Sequence, residues 1–301
     1  MIYLVGSIVL ASYLTLSFKA VERLRIDNFQ AIVFNYITCV ITGSIVNGYS
    51  PFTKETIQQS WFGWACFMGF VFISLFNIVA FTAQKISVSA ASVAYKLSLV
   101  IPFGFSIYLY NEKLTTLKFL GIIIALIAVV LTCLPPKKEI ITDGPKVPGG
   151  KTKSYKYLLI LMPVLLFVGS GLLDTMIKYV EQRYLDESNK NTYLIMAFAS
   201  AATIGTVTLI ILVISGRQKL SWKAMLAGAA IGVPNYFSIW CLLRVLKDYQ
   251  GNSSAIIPIN NMGIVLFSAL VAWLVFREKL SLINLTGIAL AVSAIALIAY
   301  G

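Results

Sequence analysis

Apolar residues fall into ten long runs separated by short polar segments. The runs cover about residues 2–20, 29–48, 60–84, 88–110, 115–134, 157–179, 192–215, 222–246, 253–276 and 281–300. Each is close to the roughly 20 apolar residues a helix needs to cross the hydrocarbon core of a bilayer. The pattern predicts an all-α membrane protein of ten transmembrane helices. The first run, MIYLVGSIVLASYLTLSFK, has no basic stretch ahead of it and reads as the first span, not as a cleaved signal peptide. One connection breaks the rhythm. Residues 135–156, PPKKEIITDGPKVPGGKTKSYK, are rich in Pro, Gly and Lys and hold no apolar run. They read as a linker between two five-helix units, residues 1–134 and 157–301.

The two units resemble each other. Residues 105–132 align without gaps to residues 271–298, and eight of the 28 positions are identical. These are Glu112/Glu278, Lys113/Lys279, Leu114/Leu280, Gly121/Gly287, Ile122/Ile288, Ala125/Ala291, Ala128/Ala294 and Leu131/Leu297. A weaker echo pairs the segment Lys19 to Glu22 with Lys178 to Glu181. Apolar helices share residues by composition alone, but a shared Glu-Lys-Leu at one helix–loop–helix position points to duplication. With an odd number of spans per unit, the second enters the membrane from the opposite side. That is an inverted-topology repeat, whose two packings open to opposite faces at similar energy.

Composition sharpens the class. Of 301 residues 58% are apolar and 12% charged, against about 45–50% and 25% in soluble domains, and mean hydropathy is +0.84. The formal charge is +12. Most basic residues sit in short loops, so the charge reads as topology and lipid attraction, and no nucleic-acid partner is expected. Histidine is absent, and Cys39, Cys66, Cys133 and Cys241 form no CxxC pair. No metal site, disulfide or cofactor is therefore expected.

The duplicated Glu-Lys-Leu with its Gly-containing helix (Glu112 to Gly121, Glu278 to Gly287) resembles the drug/metabolite transporter superfamily, specifically the EamA-type ten-helix transporters. The segments Val233-Pro-Asn-Tyr-Phe-Ser238 and Pro258-Ile-Asn-Asn261 and the ten-span layout fit too. The likeness covers essentially the whole chain. It implies a 5+5 helical transporter with a central cavity between the halves, handling small metabolites, often outward. Lys and Arg are more numerous after odd-numbered spans, which by the positive-inside rule puts both termini outside. Much of that excess lies in the linker, and the resemblance implies the reverse. Cytoplasmic termini in the cell membrane are the expectation.

Polar side chains inside spans are costly and usually face a bundle interior or cavity. Helical spacing places them in stripes. Span 1 carries Ser12, Thr15 and Lys19; span 3 Ser74, Asn77 and Gln84; span 4 Ser89, Ser92 and Lys96. Span 6 carries Ser170, Asp174 and Lys178; span 8 Asn235, Tyr236, Trp240 and Arg244; span 9 Asn260 and Asn261. Lys96 lies too deep for easy snorkelling. It is either a cavity cation for a carboxylate, phosphate or carbonyl of the substrate, or a structural partner of Asp174 or backbone carbonyls. Asp174 is either a proton-coupling carboxylate or an i,i+4 ion partner of Lys178. Asn235, Asn260, Asn261 and Asn77 either orient a polar substrate or bond across helices. Tyr236 either stacks on substrate or packs. Lys19 and Lys178 lie near helix ends, where cavity contact competes with snorkelling.

A secondary transporter of a small polar metabolite, working by alternating access for export or exchange, is the reading these features favour. Excess lysines over one buried acid fit an anionic or zwitterionic solute, an amino acid among them. The expected partners are the substrate and, where Asp174 couples, protons, in lipid, with the chain a monomer or homodimer. An intramembrane enzyme would need clustered carboxylates, histidines or metal ligands. A structural membrane protein would not need a cavity-facing lysine. No Walker A motif is present, so no ATP-driven step is expected.

Overall fold

The computed structural model describes residues 2–48, 50–101, 105, 115–133, 152–186, 188–248, 253–278 and 280–300. Among these the chain is all-helical. We number the helices α1 (Ile2–Arg23), α2 (Asn28–Asn47), α3 (Lys54–Ile57), α4 (Phe62–Lys85), α5 (Val88–Leu97), α6 (Thr116–Cys133), α7 (Thr152–Tyr184), α8 (Lys190–Ile214), α9 (Trp222–Asp248), α10 (Ser253–Phe276) and α11 (Leu282–Tyr300).

Seven of these, α1, α2, α4, α7, α8, α9 and α10, contain stretches long and apolar enough to cross a membrane. α6 and α11 contain shorter apolar stretches, Thr116–Thr132 and Leu282–Ile298. Every predicted run holds one described helix, and the boundaries agree to within a few residues except at two places. α7 starts at Thr152, inside the expected linker, because a helix does not stop where hydrophobicity stops. α5 ends at Leu97, well short of residue 110, and most of the rest of that run lies outside the described residues.

Local chemistry sets the ends. Asp27 caps α2, its Oδ1 accepting the Gln30 N–H at 2.8 Å, and Gly48 closes it at φ +76°. Ser87 caps α5 by accepting the Ala90 N–H at 2.9 Å. Such a cap is worth about 1 kcal/mol. After α10, Arg277 takes φ +53° and the Glu278 N–H reaches back to the Ala272 carbonyl at 3.2 Å. This six-residue wrap terminates the helix and aims Glu278 sideways.

The exterior is apolar. Ile45, Val130, Ile211, Ile214, Leu274 and Leu282 are all exposed, while Ser12, Asn35, Ser89, Ser92, Ser170 and Asn260 are buried. That arrangement suits a solvent of acyl chains.

The closest helix pairs are α6 with α11, α2 with α9, α1 with α9, α4 with α8 and α2 with α8. α10 packs on α1, α5 and α11, and α7 packs on α4 and α5. Small residues allow the close approaches. A Cβ on Gly121 of α6 would lie 3.1 Å from the Ala294 carbonyl oxygen of α11. One on Gly232 of α9 would lie 2.6 Å from the Asn35 carbonyl oxygen of α2, and one on Gly69 of α4 would lie 2.6 Å from the Ala197 carbonyl oxygen of α8. Ala125, Ala128, Ala291 and Ala294 are fully buried in the α6–α11 seam. The small-residue faces thus serve packing within the chain, where dispersion contacts hold membrane helices together.

Candidate functional site

α5 is ten residues long, and the chain turns at Ser98 and Leu99 before helix resumes at Val100 and Ile101. The Ser98 hydroxyl donates to the Tyr95 carbonyl at 2.5 Å, and the Ile101 N–H donates to the Ser98 carbonyl at 2.9 Å. Pro102 in the sequence has no N–H to offer the Ser98 carbonyl, which removes one bond from the helical ladder here, as Pro163 and Pro234 do within α7 and α9. Lys96 stands one turn before the break. It is half-buried, with Nζ 4.4 Å from the centre of the Tyr95 ring, a distance for a cation–π contact.

Asp174 on α7 faces this helix. It interacts electrostatically with Lys96 and Tyr95. Among the described residues no ion pair of 4.0 Å or less joins it to Lys96. The approach of α7 to the break is close, since a Cβ on Gly171 would lie 2.8 Å from the Ser98 carbonyl oxygen.

The helices that carry this pair, and α10 beside them, hold polar groups that the protein does not satisfy. Ser89 Oγ and Ser92 Oγ on α5, Ser170 Oγ on α7 and Asn260 Oδ1 on α10 are buried without a hydrogen-bond partner among the described residues. Asn261 beside Asn260 is buried too. On α1, Thr15 is buried and Ser12 donates to the Ile264 carbonyl of α10 at 3.4 Å. α5 packs against α1, α7 and α10, and α1 against α10, so the four helices that carry these polar residues are mutual neighbours.

The other candidates sit elsewhere. Asn235 on α9 donates to Asn35 Oδ1 of α2 at 3.1 Å, and Tyr236 donates to Asn191 Oδ1 of α8 at 3.3 Å. Asn77 on α4 bonds back to the Ile73 carbonyl at 2.7 Å. Lys19 is held at the end of α1, donating to the Gln84 carbonyl at 2.9 Å and pairing with Glu22 at 3.2 Å. Gln84 donates in return to the Phe18 carbonyl at 2.8 Å, which clamps α1 to α4. Lys178 lies on α7, and its side chain falls outside the described part of the structure, as does any Asp174–Lys178 pair. Arg244 is exposed and stacks on Trp240, 4.8 Å from its ring centre.

Three participants escaped sequence reasoning. Asn35 and Asn191 are the partners of Asn235 and Tyr236, and each is a polar residue within or beside an apolar run, a signal present but unused. Glu278 is the third. Its Oε1 accepts the Val88 N–H at 2.9 Å, so a carboxylate from the α10–α11 turn caps the N-terminus of the helix that carries Lys96.

The EamA-like transporter family model matches residues 1–134 and 156–300. An uncharacterized protein of Haemophilus influenzae is 25% identical over 284 residues, covering 92% of this chain and 90% of that protein. One solved crystal structure superimposes with a TM-score of 0.57 over 99% of this chain and 95% of the other, at 15% identity, a likeness of fold alone. The chain is a multi-pass membrane protein and belongs to the EamA-like transporter family, whose members are membrane transporters of the drug/metabolite kind.

Proposed function

We propose that the protein is a secondary transporter of a small anionic or zwitterionic metabolite, which it exports or exchanges by alternating access. The observation that carries this is the cluster of Lys96, Asp174 and the unsatisfied atoms of Ser89, Ser92, Ser170 and Asn260. Buried polar atoms without partners are rare, and each calls for a water or a ligand. Lys96 follows Val88 by eight residues, about 12 Å along the helix at 1.5 Å per residue. The half-thickness of the hydrocarbon core is about 15 Å. A cation at that depth beside a broken helix fits the binding sites of transporters built from inverted repeats. Lys96 engages the anionic group of the substrate, and Asp174 sets the field at that ammonium and couples a proton. Asn260 and Asn261 orient the polar remainder. Asn235 and Tyr236 brace α9 against α2 and α8, and Asn77 and Lys19 are engaged with the protein itself, so none of the four is assigned to the substrate.

The ten spans form a 5+5 inverted repeat, residues 1–134 and 157–301 joined by the linker. Exchange of the two units maps contacts onto contacts: α1–α9 onto α7–α4, α2–α9 onto α8–α4, α1–α10 onto α7–α5 and α5–α6 onto α10–α11. Hydrogen bonds follow the same rule. Cys39 of α2 donates to the Gly232 carbonyl of α9 at 3.4 Å, and Ser200 of α8 donates to the Cys66 carbonyl of α4 at 2.9 Å. Both termini face the cytoplasm.

The test is counterflow in proteoliposomes against a panel of amino acids, organic acids, sugars and nucleotide conjugates. One or more anionic or zwitterionic solutes exchange, and Lys96→Met abolishes that exchange while inserting normally. Normal exchange by Lys96→Met removes Lys96 from the site, and exchange of cations alone refutes the substrate class.

A further inference from the structure

We propose that the apolar groove between α2 and α8, with the basic rim above it, binds one anionic phospholipid. The groove is a cavity of about 250 Å³ lined by Val33 and Ile37 of α2, Leu209, Ile210 and Val213 of α8, and Leu220 of the loop that follows. It lies apart from Lys96, Asp174 and the polar cluster. Its volume is below the roughly 300–1,000 Å³ of pockets that enclose a drug-sized solute. An apolar lining of this size suits a segment of acyl chain.

The rim supplies the headgroup chemistry. Leu220 stands beside Lys219, and Arg217 and Lys219 on the α8–α9 turn and Lys223 at the start of α9 are all exposed. Arg25, exposed and at φ +54°, occupies the α1–α2 turn. Hydrogen bonds stitch the two turns together. Gln218 donates to Asp27 Oδ2 at 3.1 Å, Gln30 donates to the Lys219 carbonyl at 3.0 Å, and the Ser221 N–H donates to Gln30 Oε1 at 2.9 Å. Asp27 is the one carboxylate between residues 24 and 30 or 215 and 223, and both of its oxygens are engaged in these bonds and in the α2 cap. The positive ends of two helices, α2 from Asn28 and α9 from Trp222, begin at the same place. Trp222, 65% exposed, marks the level of the membrane interface. Four exposed basic side chains and two helix N-termini thus share a stitched pair of turns that meets the acyl-sized groove at Leu220, where a phosphate attached to a chain satisfies both parts. This arrangement does not depend on the transport reading.

The experiment is native mass spectrometry of the purified full-length protein with palmitoyl-oleoyl phosphatidylglycerol or phosphatidylcholine added. Wild type retains one phosphatidylglycerol at least tenfold over phosphatidylcholine. The triple variant R217Q/K219Q/K223Q, altered only at exposed positions, keeps its thermal midpoint and loses that preference. Ile37→Phe, which fills the groove, lowers phosphatidylglycerol retention at least threefold. Equal retention of the two lipids by wild type, or wild-type preference in the triple variant, overturns the proposal. Displacement of the lipid by millimolar glycerol phosphate also overturns it, because the rim would then be a site for a free phosphate.

Discussion

Replacing Gly232 by Ala tests the α2–α9 contact. The added Cβ would lie 2.6 Å from the Asn35 carbonyl oxygen and 2.6 Å from Thr38 Cβ. Carbon and carbonyl oxygen approach no closer than about 3.3 Å even in favourable C–H···O contacts. α9 must therefore withdraw by roughly 0.7 Å. The Asn235–Asn35 hydrogen bond at 3.1 Å and the Cys39–Gly232 bond at 3.4 Å then stretch beyond useful range. Overpacking costs about 1–3 kcal/mol, and an interhelical hydrogen bond in lipid about 0.6 kcal/mol. The sum with both bonds lost, about 2–4 kcal/mol, corresponds to a fall of roughly 3–6 °C in midpoint for a chain of this size. The assay is thermal unfolding in detergent followed with a thiol-reactive dye, since Cys39 is fully buried in this interface. Gly63→Ala is the control, because a Cβ there meets nothing within 4 Å. If Gly232→Ala is as stable as Gly63→Ala, and Cys39 is no more reactive, the steric reasoning is wrong.

Further outcomes follow from the site and its supports. Glu278→Ala removes the carboxylate cap from the Val88 N–H and costs about 1 kcal/mol in thermal unfolding, whereas Glu278→Gln keeps an acceptor and most of that stability; equal midpoints for Ala and wild type would show that the cap contributes nothing. Asp174→Asn retains counterflow but no longer accumulates substrate against a gradient when a proton gradient is imposed, and accumulation at the wild-type level would remove Asp174 from coupling. A reporter fused after Gly301 reads out in the cytoplasm, and activity only when the reporter is extracytoplasmic reverses the orientation.

The hydrophobic pattern carried the helices because lipid imposes one rule on every span: about 20 apolar residues and no unsatisfied backbone. α1, α2, α4, α8 and α9 are legible for that reason. α5 is not, because its interruption lies at the Ser98–Leu99 turn, and apolar residues continue through the break. Of the site, Lys96 and Asp174 stood out as charges in apolar runs, and the structure brings their helices together. The roles of Asn235, Tyr236 and Lys19 were hidden because a polar stripe fixes a face but not a neighbour. Asn235 met Asn35, Tyr236 met Asn191, and Lys19 met Gln84 and Glu22, none of which spacing reveals. The Glu278 cap combines residues 190 positions apart, and only the folded chain joins them.

The closest packing in the molecule joins early helices to late ones: α6 to α11, α2 to α9, α1 to α9 and α4 to α8. The sequence halves are braided like the fingers of clasped hands. A motion that swung one half bodily past the other would shear the glycine and alanine seams all at once. Any rigid-body motion that spared those seams would carry mixed bundles, each drawn from both ends of the chain, and the Glu278 cap ties the foot of α5 to the bundle that holds the α10–α11 turn.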